Sequence, residues 1–284
     1  MKTLKNKEDY TNLLDSYDTW LFDCDGVLWH GDRLIDGALD VLALLRKHNK
    51  HILFVTNNAT KSRRQYKAKF DNLGVEAHVD EIFGSAYASA VYISSVMQLP
   101  KDKKVYVIGE AGLEEELANE GLSFVGGTAP EDCAAGGFSF ATYEHDDSVA
   151  AVYSKAFQYL TRNPGCAFIA TNEDSTYPAG AGMLPGAGSI SAPLRYATKK
   201  DPIAVGKPNK TMLDCIRAKH DFDPKRAVMV GDRLDTDILF GQSGGLATLL
   251  VLTGVTQVEE VQGPDAKVLP DFVTASIGDL CAAS

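Results

Sequence analysis

Two carboxylates, Asp23 and Asp25, stand one residue apart directly after the apolar run Trp20-Leu21-Phe22, and Gly26 follows them. A short apolar run reads as a buried strand, and acids at its end project from the edge of a sheet. In open parallel α/β sheets, ligands bind at that edge. Carboxylates this close repel each other unless a cation lies between them or one keeps its proton. The pair therefore suits a hard metal ion, a nucleophile beside a general acid, or both. An Asp- and Gly-rich turn after a strand would read the same way over eight residues.

Three further apolar runs end in polar tips. Residues 51–55 lead to Thr56-Asn57-Asn58. Ile203-Ala204-Val205 leads to Gly206-Lys207-Pro208. Residues 227–230 lead to Gly231-Asp232-Arg233, with Asp235 and Asp237 close behind. Right-handed crossovers would carry all four tips to one edge of one parallel sheet. Oxygen ligands from Asp23 and Asp232 suit Mg²⁺, which shares its sites with phosphate. Thr56 and Asn57 can donate hydrogen bonds to phosphoryl oxygens, and Lys207 can neutralise charge that builds up in transfer. An Asp can itself attack phosphorus, and Asp25 can protonate the leaving oxygen and then deprotonate water. Singly, each tip has a plain explanation: a helix cap at 56–58, a surface loop lysine at Lys207, turn and cap residues at Asp232 and Asp237. Four such tips in chain order, each after a buried run, are hard to obtain by chance.

The intervening stretches supply the elements that must position these tips. Helical periodicity predicts helices over 10–17, 36–47, 61–73, 85–97, 110–120, 154–161, 209–220 and 237–243. Strands are expected at 81–85, 104–109, 167–170 and 247–252, with an added edge at 271–273. Residues 126–147 and 171–188 read as loop, being rich in Gly, Pro and Asp. Strands alternating with helices give an α/β fold with a doubly wound, Rossmann-like parallel sheet as core. The pattern changes in the middle of the chain and then returns. The expected division is a core over 1–86 and 199–284, with a smaller α/β unit inserted at 87–198.

The whole chain has 284 residues, 45% hydrophobic and 23% charged, an ordinary globular composition. A formal net charge of -10 disfavours nucleic acid and anionic membranes as partners. No apolar run approaches the ~20 residues of a membrane-spanning helix, and the polar start is no signal peptide. Cys24, Cys133, Cys166, Cys215 and Cys281 are odd in number and scattered, which favours a reducing compartment and a cytoplasmic protein. The last four residues match a prenylation pattern, but Asp279 precedes them and no basic stretch does. The charges Lys61, Arg63, Arg64, Lys67 and Lys69 read first as a solvated helix face and only second as a phosphate-steering patch. The six histidines show no ligand spacing. Cys24, between two acids, is expected to hold its thiol proton.

The segments Asp23-Cys24-Asp25-Gly26-Val27-Leu28, Thr56-Asn57-Asn58, Gly206-Lys207-Pro208 and Gly231-Asp232-Arg233-Leu234-Asp235-Thr236-Asp237 resemble the four motifs of the haloacid dehalogenase superfamily. The resemblance narrows to the branch of 4-nitrophenyl, phosphoglycolate and pyridoxal phosphate phosphatases, which carry an α/β cap between the second and third motifs. It extends through Gly109-Glu110 and through Thr171-Asn172-Glu173-Asp174-Ser175-Thr176-Tyr177-Pro178 in the cap. It implies Asp23 as nucleophile and Asp25 as general acid and base. It implies Mg²⁺ held by Asp23, the Asp25 carbonyl and Asp232, with Asp237 supporting the metal waters. Thr56, Asn57, Asn58 and Lys207 would bind the transferring phosphoryl group. The implied substrates are small phosphomonoesters, 2-phosphoglycolate first and 4-nitrophenyl phosphate as an artificial one. Pyridoxal phosphate or a nucleotide is the alternative, and a homodimer through the cap is implied. One departure stands out. In the family, the apolar run matching residues 149–152 leads to a Gly-x-Asp segment and a loop ending in Tyr. Here Tyr153-Ser154-Lys155 follows at once, so the cap is shortened near 152–153. An inactive scaffold that uses the cap as a protein-binding surface is the competing reading. Four retained charged groups speak against it.

Overall fold

The strand Thr19–Phe22, with every residue buried, sits inside a seven-stranded sheet. The computed structural model describes residues 1–128, 149–179, 182–263 and 266–283. Across the sheet the order is Lys2–Thr3, Phe272–Thr274, Ala247–Val251, Ala227–Gly231, Thr19–Phe22, His51–Thr56 and Ile82–Gly84. The pairs from Lys2–Thr3 across to His51–Thr56 run parallel. From Thr19–Phe22 the chain builds outward on one side through His51–Thr56. It returns on the other side at Ala227–Gly231. The order therefore reverses between Thr19–Phe22 and Ala227–Gly231, the place where open sheets leave a crevice beyond the strand carboxyl ends. Asp23 and Asp232 are the first residues past those two strands.

The sheet core is aromatic near this crevice. Phe22 lies 6.5 Å from Phe54, Phe54 4.5 Å from Phe70, and Phe70 5.0 Å from Trp29, ring centroid to centroid. Buried aromatic contacts of this kind each add about 0.5–1.5 kcal/mol beyond their area. Helix Ala38–Lys47 buries Ala38, Val41, Leu42, Leu44 and Leu45, and helix Lys210–Lys219 buries Met212, Leu213, Cys215 and Ile216. Both follow the i, i+3, i+4 spacing of a helix with one apolar face.

The chain divides into two compact units. One comprises Met1–Thr56, Lys67–Phe83 and Lys207–Ser284 and holds the large sheet; the other comprises Asn57–Tyr66 and Gly84–Gly206. Residues 57–66, 84–86 and 199–206 pack with the second unit.

Within the second unit, Val105–Val107 pairs in parallel with Phe124–Gly126, and Ile169–Ala170 with Ile203–Ala204. Helices Ser85–Val91 and Ala111–Asn119 pack on the first pair around Ala90, Ile93, Val107 and Leu117, with Ile169 of the second pair against the same cluster. Among the described residues the two pairs remain separate sheets. The apolar run at 149–152 is the first turn of helix Val149–Arg162, so the chain enters that helix directly. The loop expected at 126–147 falls, from residue 129 onward, outside the described residues.

Three expectations change. Ile203–Ala204 belongs to this small sheet, so the tip bearing Lys207 does not leave the core sheet as expected. A two-residue apolar strand has no sequence mark that tells which sheet it joins. Residues 171–188 are not loop throughout: Thr176–Ala179 and Gly182–Pro185 form an antiparallel hairpin. A hairpin needs no partner on its outer edges, so it tolerates Pro178 and Pro185 where a central strand would not. Finally, helix Ala187–Thr198 goes unmarked in the sequence because it follows Gly186 and contains Pro193.

Candidate active site

Asp23 continues the ladder of its strand, its N–H donating to the Val230 carbonyl at 2.9 Å. That bond locks the acid to the neighbouring strand, whose own end carries Asp232. The backbone then turns at Gly26, which has φ +85. L-residues avoid that region. A Cβ on Gly26 would also lie 2.6 Å from Asp232 Oδ2. A Cβ on Gly254 would lie 1.8 Å from the same oxygen, and one on Gly231 would lie 2.1 Å from the Asp237 Cβ. Glycines thus make the space in which the acids converge.

Asp232 is 2% exposed, and its Oδ2 accepts the Val255 N–H at 2.7 Å. Asp237 is 1% exposed, and its Oδ2 accepts the N–H groups of Asp232 and Arg233, both at 3.1 Å. It reaches them because the chain after Arg233 makes a π-helical turn, Leu234–Ile238. Such wide turns are often found at functional sites. One oxygen from each of Asp23, Asp232 and Asp237 falls within 4.8 Å of the others.

Lys207 is 2% exposed and sits among these acids. Its Nζ donates to Asp23 Oδ1 at 2.6 Å and to the Val55 carbonyl at 2.8 Å, and it forms an ion pair with Asp237 Oδ1 at 2.8 Å. Burial works against its charge, but Asp23 and Asp237 outweigh it and hold the ammonium above its usual range. Burial pushes the Asp23 carboxyl well up. Lys207 opposes that push, and Asp237 and Asp232 add to it. Burial and then Asp237 push Asp232 up to about 7, against the Val255 N–H, Lys207 and Arg233. Burial, then Asp23 and Asp25, push the Cys24 thiol well up, so it stays protonated.

Asp25 has a more open setting, with 37% of its side chain exposed. Its Oδ1 accepts the Trp29 Nε1–H at 2.9 Å, and the Lys69 ammonium lies 3.9 Å away and 4.4 Å from the centre of the Trp29 ring. Lys69 is therefore not part of a solvated face as expected. Arg63 also turns inward, against the buried Glu116 at 3.2 Å and over the Tyr87 ring at 3.4 Å. Sequence reasoning also passed over Trp29 and the 253–255 loop. Gly254, just past the apolar run 247–252, repeats the strand-then-turn signal of the other tips.

Thr56 ends the strand His51–Thr56 and is 3% exposed. The Asn57 side-chain nitrogen donates to Asp174 at 3.0 and 3.2 Å. Asn58 Oδ1 accepts the Thr60 N–H and hydroxyl at 2.8 and 2.7 Å, a local turn.

Chemically, Asp23, Asp25, Asp232 and Asp237 set four carboxylates against the two ammoniums of Lys207 and Lys69. The donors are all oxygen and negative in balance, with Asp232 and Asp237 buried, Asp23 partly buried and Asp25 more open. That is what a hard divalent cation requires.

Residues 20–123 match the family model described as haloacid dehalogenase-like hydrolase, and residues 204–280 the one described as HAD-hydrolase-like. The 4-nitrophenylphosphatase of Schizosaccharomyces pombe is 45% identical, aligned over 98% of this chain and 98% of its own. Phosphoglycolate phosphatase 2 of Arabidopsis thaliana is 46% identical over 98% of this chain and 96% of its own. A crystal structure of the glycerol phosphate phosphatase of Mycobacterium tuberculosis in complex with magnesium superposes with a TM-score of 0.77 at 32% identity, covering 94% of this chain and 77% of that one. Matches of this length and identity, on a chain whose acids converge at the strand ends of a doubly wound sheet, place it among the haloacid dehalogenase-like hydrolases, in the 4-nitrophenylphosphatase and phosphoglycolate phosphatase branch.

Proposed function

We propose that this chain hydrolyses small phosphomonoesters with Mg²⁺, through a phosphate ester formed on Asp23. One observation carries the reading: three carboxylates and a buried ammonium share a few ångströms at the switch point of the sheet. The Asp23 carboxylate attacks phosphorus, and the bond from phosphorus to the ester oxygen breaks. Asp25, exposed enough to meet a leaving group, gives that oxygen its proton. Asp25, now ionised, takes a proton from water; the water oxygen attacks phosphorus and frees Asp23 and inorganic phosphate. Lys207 and Thr56 donate to phosphoryl oxygens, and Asn57 and Asn58 follow Thr56 in the same phosphate-binding segment. Asp23, the Asp25 carbonyl and Asp232 would hold the magnesium, with Asp237 behind them. When bound, it supplies the positive charge that lets a phosphate dianion approach a carboxylate.

Among substrates, 2-phosphoglycolate comes first, since a relative named for it is 46% identical, against 37% for the glycerol-3-phosphate phosphatase of Gallus gallus. The test is phosphate release from 2-phosphoglycolate, glycerol 3-phosphate, pyridoxal phosphate and 4-nitrophenyl phosphate, with and without Mg²⁺. The expected result is magnesium-dependent turnover with the highest kcat/KM on 2-phosphoglycolate. A higher value on another ester reassigns the substrate. No turnover on any ester sinks the proposal.

Metal binding has its own readout. The raised carboxyl of Asp232 means that the fold disfavours its ionised form. The stability this group contributes to the metal-free protein is therefore present at low pH and lost as pH climbs from about 4 through about 7. Mg²⁺ binds the ionised form. Saturating Mg²⁺ should raise Tm by a few degrees, about 1–3 kcal/mol, and more at pH 8 than at pH 6. The checking experiment is thermal unfolding of protein stripped with a chelator. An equal shift for Asp232→Asn would place the metal elsewhere.

A further inference from the structure

The Asn57 side chain is 8% exposed, and its nitrogen faces both oxygens of the half-buried Asp174, 117 residues along the chain. The Asn57 carbonyl accepts the Ser85 hydroxyl at 2.5 Å and the Asn172 side-chain nitrogen at 2.7 Å. Asn172 Oδ1 in turn accepts the Asp174 N–H at 3.1 Å, which ties the two halves of this clasp together. Gly206 closes it from a third side. Its N–H donates to the Thr171 carbonyl at 2.8 Å, and a Cβ there would sit 2.6 Å from Asn57 Oδ1. Residues 57 and 206 are the chain neighbours of Thr56 and Lys207. One clasp, built from the segment 171–174, thus grips the backbone beside both phosphate-binding positions.

An ionised carboxylate only accepts hydrogen bonds. Facing an amide, it fixes which end is nitrogen and so which end is oxygen. It is also stronger than a neutral acceptor. An asparagine at 174 would have the same size but could present either end, so it would no longer dictate the orientation of the Asn57 amide.

We infer that Asp174 is a positioning residue of the phosphatase, holding Asn57 and with it the end of the strand that presents Thr56. This rests on the reading that residues 56 and 57 bind the phosphoryl group. The motif Thr171 to Pro178 thereby acquires a use that the chemistry of Asp23 and Asp25 does not give it.

The test uses the full chain with Mg²⁺, 4-nitrophenyl phosphate as substrate, and inorganic phosphate as competitive inhibitor. Asp174→Asn should raise KM and the phosphate inhibition constant together, by about ten- to a hundredfold, the loss for one charge-assisted hydrogen bond, with Tm nearly unchanged. Asn57→Ala should show the same loss, and the double variant should be no worse than Asn57→Ala alone, since the inference has Asp174 act through that side chain. If Asn57→Ala is impaired while Asp174→Asn keeps wild-type KM and inhibition constant, the inference is overturned. Losses that multiply in the double variant overturn it as well, as does a lower Tm with KM unmoved, which is a structural role only. If Asn57→Ala itself binds phosphate normally, the reading of residue 57 is what fails, and the inference goes with it.

Discussion

Asp23→Asn should abolish phosphate release, with kcat/KM down by about a thousandfold or more, while the protein folds as well as before or better. The first half follows from the proposed role of Asp23 as nucleophile: an amide oxygen does not displace an alkoxide from phosphorus at neutral pH. The second follows from electrostatics in the metal-free protein. Asp23 lies in a cluster with Asp232 and Asp237; burial pushes its carboxyl up, Lys207 opposes that without outweighing it, and those two acids add to it. Asn is nearly the same shape and keeps an oxygen that can accept from Lys207 Nζ. Removing one of three crowded charges relieves repulsion, as happens when an active-site residue is neutralised in proteins that hold strain for function. Phosphate release and thermal unfolding, measured on the same preparations, separate chemistry from folding. Turnover that survives in Asp23→Asn would exclude Asp23 as nucleophile. Lost activity with a collapsed Tm would leave only a structural part for it.

The parts of this site that sequence made legible are those set by short-range pattern. Residues 20–22, 52–55 and 227–230 are apolar without alternation, the mark of strands buried on both faces. The first polar residue after each is therefore a strand tip, whatever the rest of the chain does. Asp23, Thr56 and Asp232 were readable for that reason. Lys207 was readable as a residue but not as a position. The strand before it pairs with Ile169–Ala170, and no feature of Ile203 or Ala204 reveals a partner more than thirty residues upstream. Asp237 needed a π-helical turn to face Lys207, and a helical periodicity of 3.6 residues does not encode that extra residue. Lys69 and Arg63 looked like solvated charges because their partners are far away in sequence. Trp29 and Asp25 lie forty residues or more before Lys69, and Glu116 lies 53 beyond Arg63. Charge placement on a helix reports exposure only when nothing packs on that face. The hairpin and the helix Ala187–Thr198 were hidden by Pro and Gly, which mark turns locally but are overridden by tertiary pairing.

Lys207→Met should cost both activity and stability, and the two losses have different origins. Methionine keeps the length and most of the volume of the lysine stem, so it leaves no large cavity. What it removes is the ammonium beside Asp23 and Asp237 and the donor to the Val55 carbonyl. In the proposed reaction, that strips a fixed positive charge from the place where charge would accumulate on the phosphoryl oxygens, a loss of about a hundred- to a thousandfold in kcat. For the fold, it leaves two acids facing each other around an apolar side chain. Breaking a buried ion pair by deleting one partner costs about 3–5 kcal/mol, reduced here because Asp23 is pushed toward its protonated form. Arginine should not rescue: a planar guanidinium does not reproduce the single point charge that Lys207 sets 2.6–2.8 Å from Asp23, Asp237 and the Val55 carbonyl. If the stability loss comes from unbalanced carboxylates, Asp23→Asn combined with Lys207→Met will be more stable than Lys207→Met alone, although it loses the residual activity as well. If it comes instead from the lost bond to the Val55 carbonyl, neutralising Asp23 will change nothing. Thermal unfolding of the four proteins in the cycle, run without metal, decides which of the two charges the fold needs, and phosphate release by the same four with Mg²⁺ reads which the chemistry needs.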